Sequence, residues 1–335
     1  MADVETTSGT TPVPERNIKM KNLDKLTQLM VQYLQTMNMY HPNMADNSNF
    51  QINQRGLSSY TSAESGVYTV DRWAICRGGT VTPQSYGVDI TSSGTERSGV
   101  VQCTEKYYVT PGETITYSVD FLSAPSSNWE IVLGVAEASS TEWEYTAYNT
   151  ALTSGINSVS YTLPDDRGAG EYIFQIFIRN KAATVETVSV THVKLEQSTF
   201  ATSYALPNII EERRKCQAYY QISEDVGNVI GTVVALTATT GLAVVNIPVT
   251  MRAVPNIAFN NISLIGIGSP TSDNIKLDSV DGDSIAMGAN SVSFTINASE
   301  LVAGANYYMT IASDGYIMLD SDIDTWSTYS DETDS

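Results

Sequence analysis

From Ile18 to Tyr40 the apolar positions Leu23, Leu26, Met30, Tyr33, Met37 and Tyr40 recur at spacings that alternate between three and four residues. That is the a/d alternation of a short coiled coil. Asn22 can cap the helix and His41-Pro42 stops it. Leu29 and Leu34 widen the apolar stripe beyond a two-stranded seam, which favours a three-stranded bundle; one amphipathic helix packed on its own β domain is the alternative. After Pro42 the period falls to two. Short alternating runs at Val100 to Cys103, Thr114 to Phe121, Trp129 to Val135, Ser158 to Leu163, Tyr172 to Arg179 and Val188 to Leu195 are separated by turn signals such as Pro111-Gly112 and Pro164-Asp165-Asp166. This spacing predicts a β-sandwich, with the apolar run Tyr172 to Ile178 as a central strand.

A second set of short strands is expected between Ala218 and Ile323: Gly231 to Leu236, Leu242 to Val249, Asn256 to Phe259, Ser291 to Ile296 and Tyr307 to Ala312. Within it, Val244 to Ile257 carries Pro248 and Pro255 and reads as an exposed-edge or terminal strand that turns a corner at Met251 to Pro255, because proline cannot donate to a ladder. Between the two β regions Asn208 can cap a short helix. Its early acids, Glu211 and Glu212, and later bases, Arg213, Arg214 and Lys215, match the helix dipole.

The formal charge of −19 over 335 residues argues against nucleic-acid binding, which needs a basic surface. Only 16% of the residues are charged, so the surface is expected to be rich in Ser, Thr, Asn, Gly and Tyr. Cys76, Cys103 and Cys216 are read as free buried thiols, with a Cys76–Cys103 bridge as the alternative. No stretch has the apolar length of a membrane span and the N-terminus lacks a signal-peptide pattern, so release without secretion is expected. Residues 1–16 are Thr/Ser/Pro-rich, a docking arm or a plain tail.

Catalysis finds little support. His41 and His192 are the only histidines, and neither a Ser-His-Asp set nor a phosphate loop can be placed, so no enzyme is expected. Asp281-Gly282-Asp283 has a calcium-like texture without the spaced acids and terminal glutamate of a known loop. The metal set is therefore unknown, with a structural calcium left open and no other cofactor implied. Trp129, Trp143, Tyr145 and Tyr148 are the sugar-stacking candidates, since aromatic faces bind the apolar side of a pyranose; for each ring a place in the core is the competing reading. Asp71, Arg72 and Trp73 read instead as a buried stacked pair that fixes the sandwich.

Three stretches, in this order, resemble bacteriophage tail-fibre and head-fibre proteins. They are Asn47 to Gly56 with Tyr68 to Trp73, then His192 to Glu196 with Ala201 to Tyr204 and Glu211 to Gln221, then Val244 to Ile257 with Ser313 to Ile323. Gln197 and Ser198 stand where a glycine is usual, and Ser321 and Asp322 replace the usual Ala and Glu. The resemblance implies a receptor-binding virion protein, assembled in the bacterial cytoplasm. Its expected plan is a virion-docking arm over residues 1–17, a trimerising coiled-coil helix over 18–41 and a jelly-roll, carbohydrate-binding-like domain over 42–206. A linker helix over 207–220, a C-terminal β-sandwich tip over 221–323 and an acidic tail over 324–335 complete it. The chain is then mainly β and homotrimeric through Leu23, Leu26, Met30, Tyr33 and Met37. It would meet other virion proteins through its arm and host-surface glycan through its β domains, with no nucleic-acid or membrane partner. A purely structural head-fibre or collar protein is the alternative.

Overall fold

A computed structural model describes residues 41–140, 143–267 and 275–321, without the side chains of Tyr145 and Thr146. The docking arm, the helix with Leu23, Leu26, Met30, Tyr33 and Met37, and the acidic tail lie outside the described residues. The chain divides into two compact units, one of Met1–Pro42 with Thr202–Ala205 and one of Asn43–Ala201 with Leu206–Ser335. All the strands and the helix below belong to the second.

The N-terminal portion of that unit is a sandwich of two six-stranded sheets. One sheet has the order β1 (Tyr60–Ser62), β3 (Gly79–Gln84), β4 (Gly87–Ser92), β12 (Thr187–Gln197), β7 (Thr114–Phe121), β10 (Gly155–Thr162). The other runs β2 (Ala74–Cys76), β5 (Ser98–Cys103), β11 (Gly170–Asn180), β8 (Trp129–Glu137), β9 (Glu144–Asn149), with β6 (Tyr107–Val109) also on β11. Alternation puts Tyr117, Val119 and Phe121 of the first sheet against Phe174, Ile176 and Ile178 of the second in one core. Between Val190 and His192 the register with β7 shifts, which is how Val190, Val193 and Leu195 all reach that core despite an odd spacing. The run from Tyr172 is central as expected: β11 is flanked by β5 and β8.

After the sandwich comes α1 (Ile209–Gln217), capped as expected by Asn208, whose Oδ1 accepts from the Ile210 amide at 3.0 Å. Then follows one seven-stranded sheet: β13 (Tyr220–Ser223), β19 (Asn306–Asp320), β14 (Val229–Ala235), β15 (Thr240–Asn246), β18 (Ser291–Ala298), β17 (Ile275–Met287), β16 (Asn256–Gly266). Because β16 also pairs with β19, hydrogen bonding runs round a ring of six strands, a single closed sheet where two facing sheets had been expected. The 15-residue β19 makes this possible: one of its edges pairs with β14 and then β13, while the other takes β16 along most of its length. Phe294, Met309 and Leu264 fill the interior.

The expectation of an edge strand at Val244 is corrected. β15 lies between β14 and β18, paired on both sides, and ends at Asn246 before Pro248, so the proline removes no ladder bond. The corner at Met251 to Pro255 does fall between β15 and β16.

The sandwich and the closed sheet meet at a junction built largely from the residues of the first and second resembling stretches. Arg72 bonds Asp46 at 3.2 Å and the Cys103 carbonyl at 2.7 Å, and its guanidinium lies 3.4 Å from the centre of the Tyr219 ring. The expected stacked ion pair exists, with Asp46 as a carboxylate partner of Arg72. Asp71 accepts from the Gln54 backbone and side chain, while Gln54 Nε2 also reaches the Tyr220 carbonyl. Arg55 stacks 3.9 Å from the Tyr220 ring centre and pairs with Asp320 at 3.3 Å. Burial raises the Glu212 carboxyl above its ordinary range at this junction, against the pull of Lys215.

Candidate functional site

The second sheet of the sandwich turns one face to the core and the other away from it. On β8 the core face holds Ile131, Leu133 and Val135, so Glu130, Val132 and Gly134 point the opposite way. Strand register assembles that outer face into three rows. The middle row runs Tyr148, Val132, Phe177, Val101, Ala74 across β9, β8, β11, β5 and β2. Beside it lie Glu130, Arg179, Gly99 and Cys76 on one flank, and Gly134, Gln175 and Cys103 on the other, with the Tyr145 backbone in register with Gly134.

The floor is apolar and its flanks polar. Cys76, Val101, Val132 and Phe177 form a small cluster of their own, separate from the main core and fully buried. Arg179 Nε donates to Glu130 Oε1 at 2.8 Å, with both side chains almost wholly buried. Gln175 Nε2 donates to Cys103 Sγ at 3.2 Å. Burial pushes the Cys103 thiol up to about 11, and the Cys216 thiol is likewise raised by burial, so neither is a ready nucleophile. All three cysteines are free thiols. Cys76 is paired with Gly99, and Cys103 lies four residues further along β5, roughly 13 Å at strand rise, well beyond disulfide reach.

Gly99 has a steric reason to be where it is. A Cβ there would stand 2.2 Å from the Ile178 carbonyl oxygen and 2.7 Å from the Arg179 Cα. Gly99→Ala is expected to push β5 away from β11 and cost about 3 kcal/mol, at the upper end for overpacking. Gly112→Ala, which meets nothing within 4 Å but sits at φ +82°, is expected to cost only about 1 kcal/mol from backbone strain. Urea unfolding of the two variants checks the order.

The four aromatic candidates separate. Trp129 is fully buried in the main core and cannot meet a sugar. Trp143 is half-buried just before β9, and nothing is described for the Tyr145 side chain. Tyr148 is 44% exposed at the end of the middle row, where its ring can be reached from solvent. Sequence reasoning missed Phe177, Gln175, Arg179 and Glu130, because a run read as central strand gives no sign that its second face carries its own cluster.

Elsewhere, Thr191 Oγ1 donates to Asp120 Oδ2 at 2.5 Å and lies 2.9 Å from His192 Nδ1. Burial lowers the His192 imidazole from its ordinary value, opposed by Asp120. A nucleophile would hand its proton to the imidazole, whereas this hydroxyl points it at the carboxylate. Asp281 Oδ1 accepts from the Asp283 amide at 3.2 Å, an acid holding its own turn. Among the described residues no three His, Cys, Asp or Glu side chains come together as a metal set.

No family model matches the chain, and no curated protein does. Three solved structures are similar to portions of it. A Clostridium thermocellum endo-1,4-beta-D-xylanase fragment with CBM22 and GH10 modules, complexed with xylohexaose, is 14% identical over 50% of this chain and 30% of its own, at a TM-score of 0.29. This chain thus spans under a third of that xylanase fragment. A CBM4 module is 14% identical over 46% of this chain and 99% of its own, at 0.24. A tandem CBM22 domain from Paenibacillus barcinonensis is 8% identical over 84% of this chain and 96% of its own, at 0.28. At scores this low the functional reading rests on the side chains described above.

Proposed function

We propose that the protein is a bacteriophage virion fibre protein, attached to the particle through its N-terminal residues and binding host-surface glycan through the outer face of the second sandwich sheet. The observation that carries the binding half is Tyr148: a solvent-reachable ring at the end of a sheet row, backed by Val132. A pyranose offers an apolar face to such a ring. The virion half rests on the ordered resemblance of the three stretches and on the coiled-coil spacing of Leu23, Leu26, Met30, Tyr33 and Met37, which supports a homotrimer.

A second reading, a structural head-fibre or collar protein without glycan binding, is favoured by one observation. The floor residues Phe177, Val132 and Val101 are closed to solvent, so the face offers a rim and no open trough. A glycan array with the full-length protein separates the two. The first reading expects hits at micromolar-to-millimolar strength that fall at least tenfold in Tyr148→Ala, with an unchanged unfolding midpoint. An empty array, or hits that Tyr148→Ala leaves intact, overturns the assignment of this face.

A further inference from the structure

The ring of strands after α1 has a gap. β13 and β14 lie on the same edge of β19 but pair with different segments of it: β13 with residues 317–320, β14 with residues 306–310. A cavity of about 360 Å³ opens where they diverge, between β13, the start of β14 and the end of β15. Its floor is Ile230, Val245, Ile247, Ile317 and Leu319, most of them also members of the ring's buried core. Gln217, Asn228 and Asn246 stand among its polar walls, and among the described residues no ionisable side chain lines it.

Gln221 decides what such a cavity would take. The residue is only 6% exposed, and its Nε2 is committed to the Gln217 carbonyl at 2.9 Å, the Val249 carbonyl at 2.6 Å and Met251 Sδ at 3.1 Å. Its Oε1 accepts from no donor among the described residues, although Gln221 lines the cavity. Solvent reaches that oxygen, so it stands as an acceptor open to a donor that enters the cavity. We propose that this cavity is a binding site for a neutral apolar ring that carries one N–H or O–H donor, the chemistry of an indole or a phenol, with the donor meeting Gln221 Oε1.

The size and polarity agree. The volume exceeds the ~150 Å³ that holds a benzene in an engineered apolar cavity. The absence of a cation from the lining removes any preference for an acid, and a carboxylate would be desolvated there without a partner. Two sources supply this chemistry, a free aromatic molecule and a tryptophan or tyrosine on a polypeptide. The chain's own Trp326 and Tyr329 follow Ser321, whose amide bonds the Tyr219 carbonyl beside Gln217 and Gln221. From Ser321 to Trp326, five residues reach at most about 17 Å, more than the roughly 13 Å of the four-residue β13.

The test is saturation-transfer NMR on the full-length protein with indole and p-cresol, and with benzoate as the charged probe. Saturable binding of indole and p-cresol is expected, with benzoate at least tenfold weaker. Val229 is an exposed residue at the cavity mouth, so Val229→Trp fills the space without disturbing the core and is expected to abolish indole binding at an unchanged unfolding midpoint. Gln221→Met keeps the volume and is expected to weaken indole at least fivefold. Binding of the probes only after Trp326→Ala/Tyr329→Ala supports the site and identifies the chain's own ring as its occupant. Failure of both probes on wild type and on that double variant overturns the proposal, as does indole binding that Val229→Trp leaves unchanged.

Discussion

Arg72→Ala is expected to lower the unfolding free energy by about 3–5 kcal/mol, the cost of removing one member of a buried ion pair and leaving the other desolvated. Three contacts go at once. Asp46 loses the guanidinium at 3.2 Å, the Cys103 carbonyl loses its donor at 2.7 Å, and the Tyr219 ring loses the cation stacked 3.4 Å from its centre. Backbone strain separates the variants further: Arg72 has φ +72°, an uncommon conformation for a residue with a Cβ. Alanine keeps that strain and glycine relieves it, so Arg72→Gly is expected to be about 1 kcal/mol milder than Arg72→Ala. Arg72→Lys keeps the charge but loses the planar fork that serves Asp46, Cys103 and Tyr219 together, and is expected to recover less than half of the loss. Urea unfolding of the three variants checks the order, and a loss below 1 kcal/mol for Arg72→Ala would show that the junction does not depend on this side chain.

The junction also shows which features of the sequence could be read. Arg72 and Trp73 were legible as buried, because an arginine flanked by an acid and a tryptophan has few stable places other than a stacked, hydrogen-bonded one. The partner was not legible. Asp46 precedes Arg72 by 26 residues and Tyr219 follows it by far more, and nothing in local pattern fixes such distances. Two of the three resembling stretches, which read along the chain as signatures of successive modules, largely form a single contact surface. Asn47, Gln54, Arg55 and Arg72 from the first stretch meet Glu212, Tyr219 and Tyr220 from the second.

β7, which alternates cleanly, was readable to its ends because period two is unambiguous there, and the continuous apolar runs of β8 and β11 were readable nearly to theirs. β1, β2 and β6 are three residues each, too short to carry a period. The closure of the C-terminal sheet was invisible for a different reason. It depends on β16 and β19 finding one another across about fifty residues, and strand pairing partners are not written in either strand alone. The candidate site behaved likewise. Tyr148 could be named from its residue type, but the Arg179–Glu130 pair exists only because β11 and β8 are in register.

That pair yields the second large effect. Glu130→Ala is expected to cost about 3–5 kcal/mol, since Arg179, 2% exposed, loses the carboxylate at 2.8 Å in a setting where water cannot replace it. Glu130→Gln is expected to cost less, because an amide oxygen still accepts from Nε. The double variant Glu130→Leu/Arg179→Met replaces the pair with apolar groups of similar volume and is expected to regain most of the stability, since a buried pair repays little beyond its own desolvation. Denaturant unfolding of the single and double variants gives the coupling between the two sites directly. The same double variant bears on function. Both side chains are closed to solvent, so a glycan that stacks on Tyr148 cannot touch them, and array binding is expected to survive the exchange. Loss of binding in a double variant that is as stable as wild type would mean that the pair holds the sheet face in the shape the sugar needs, and would move the site inward from its rim.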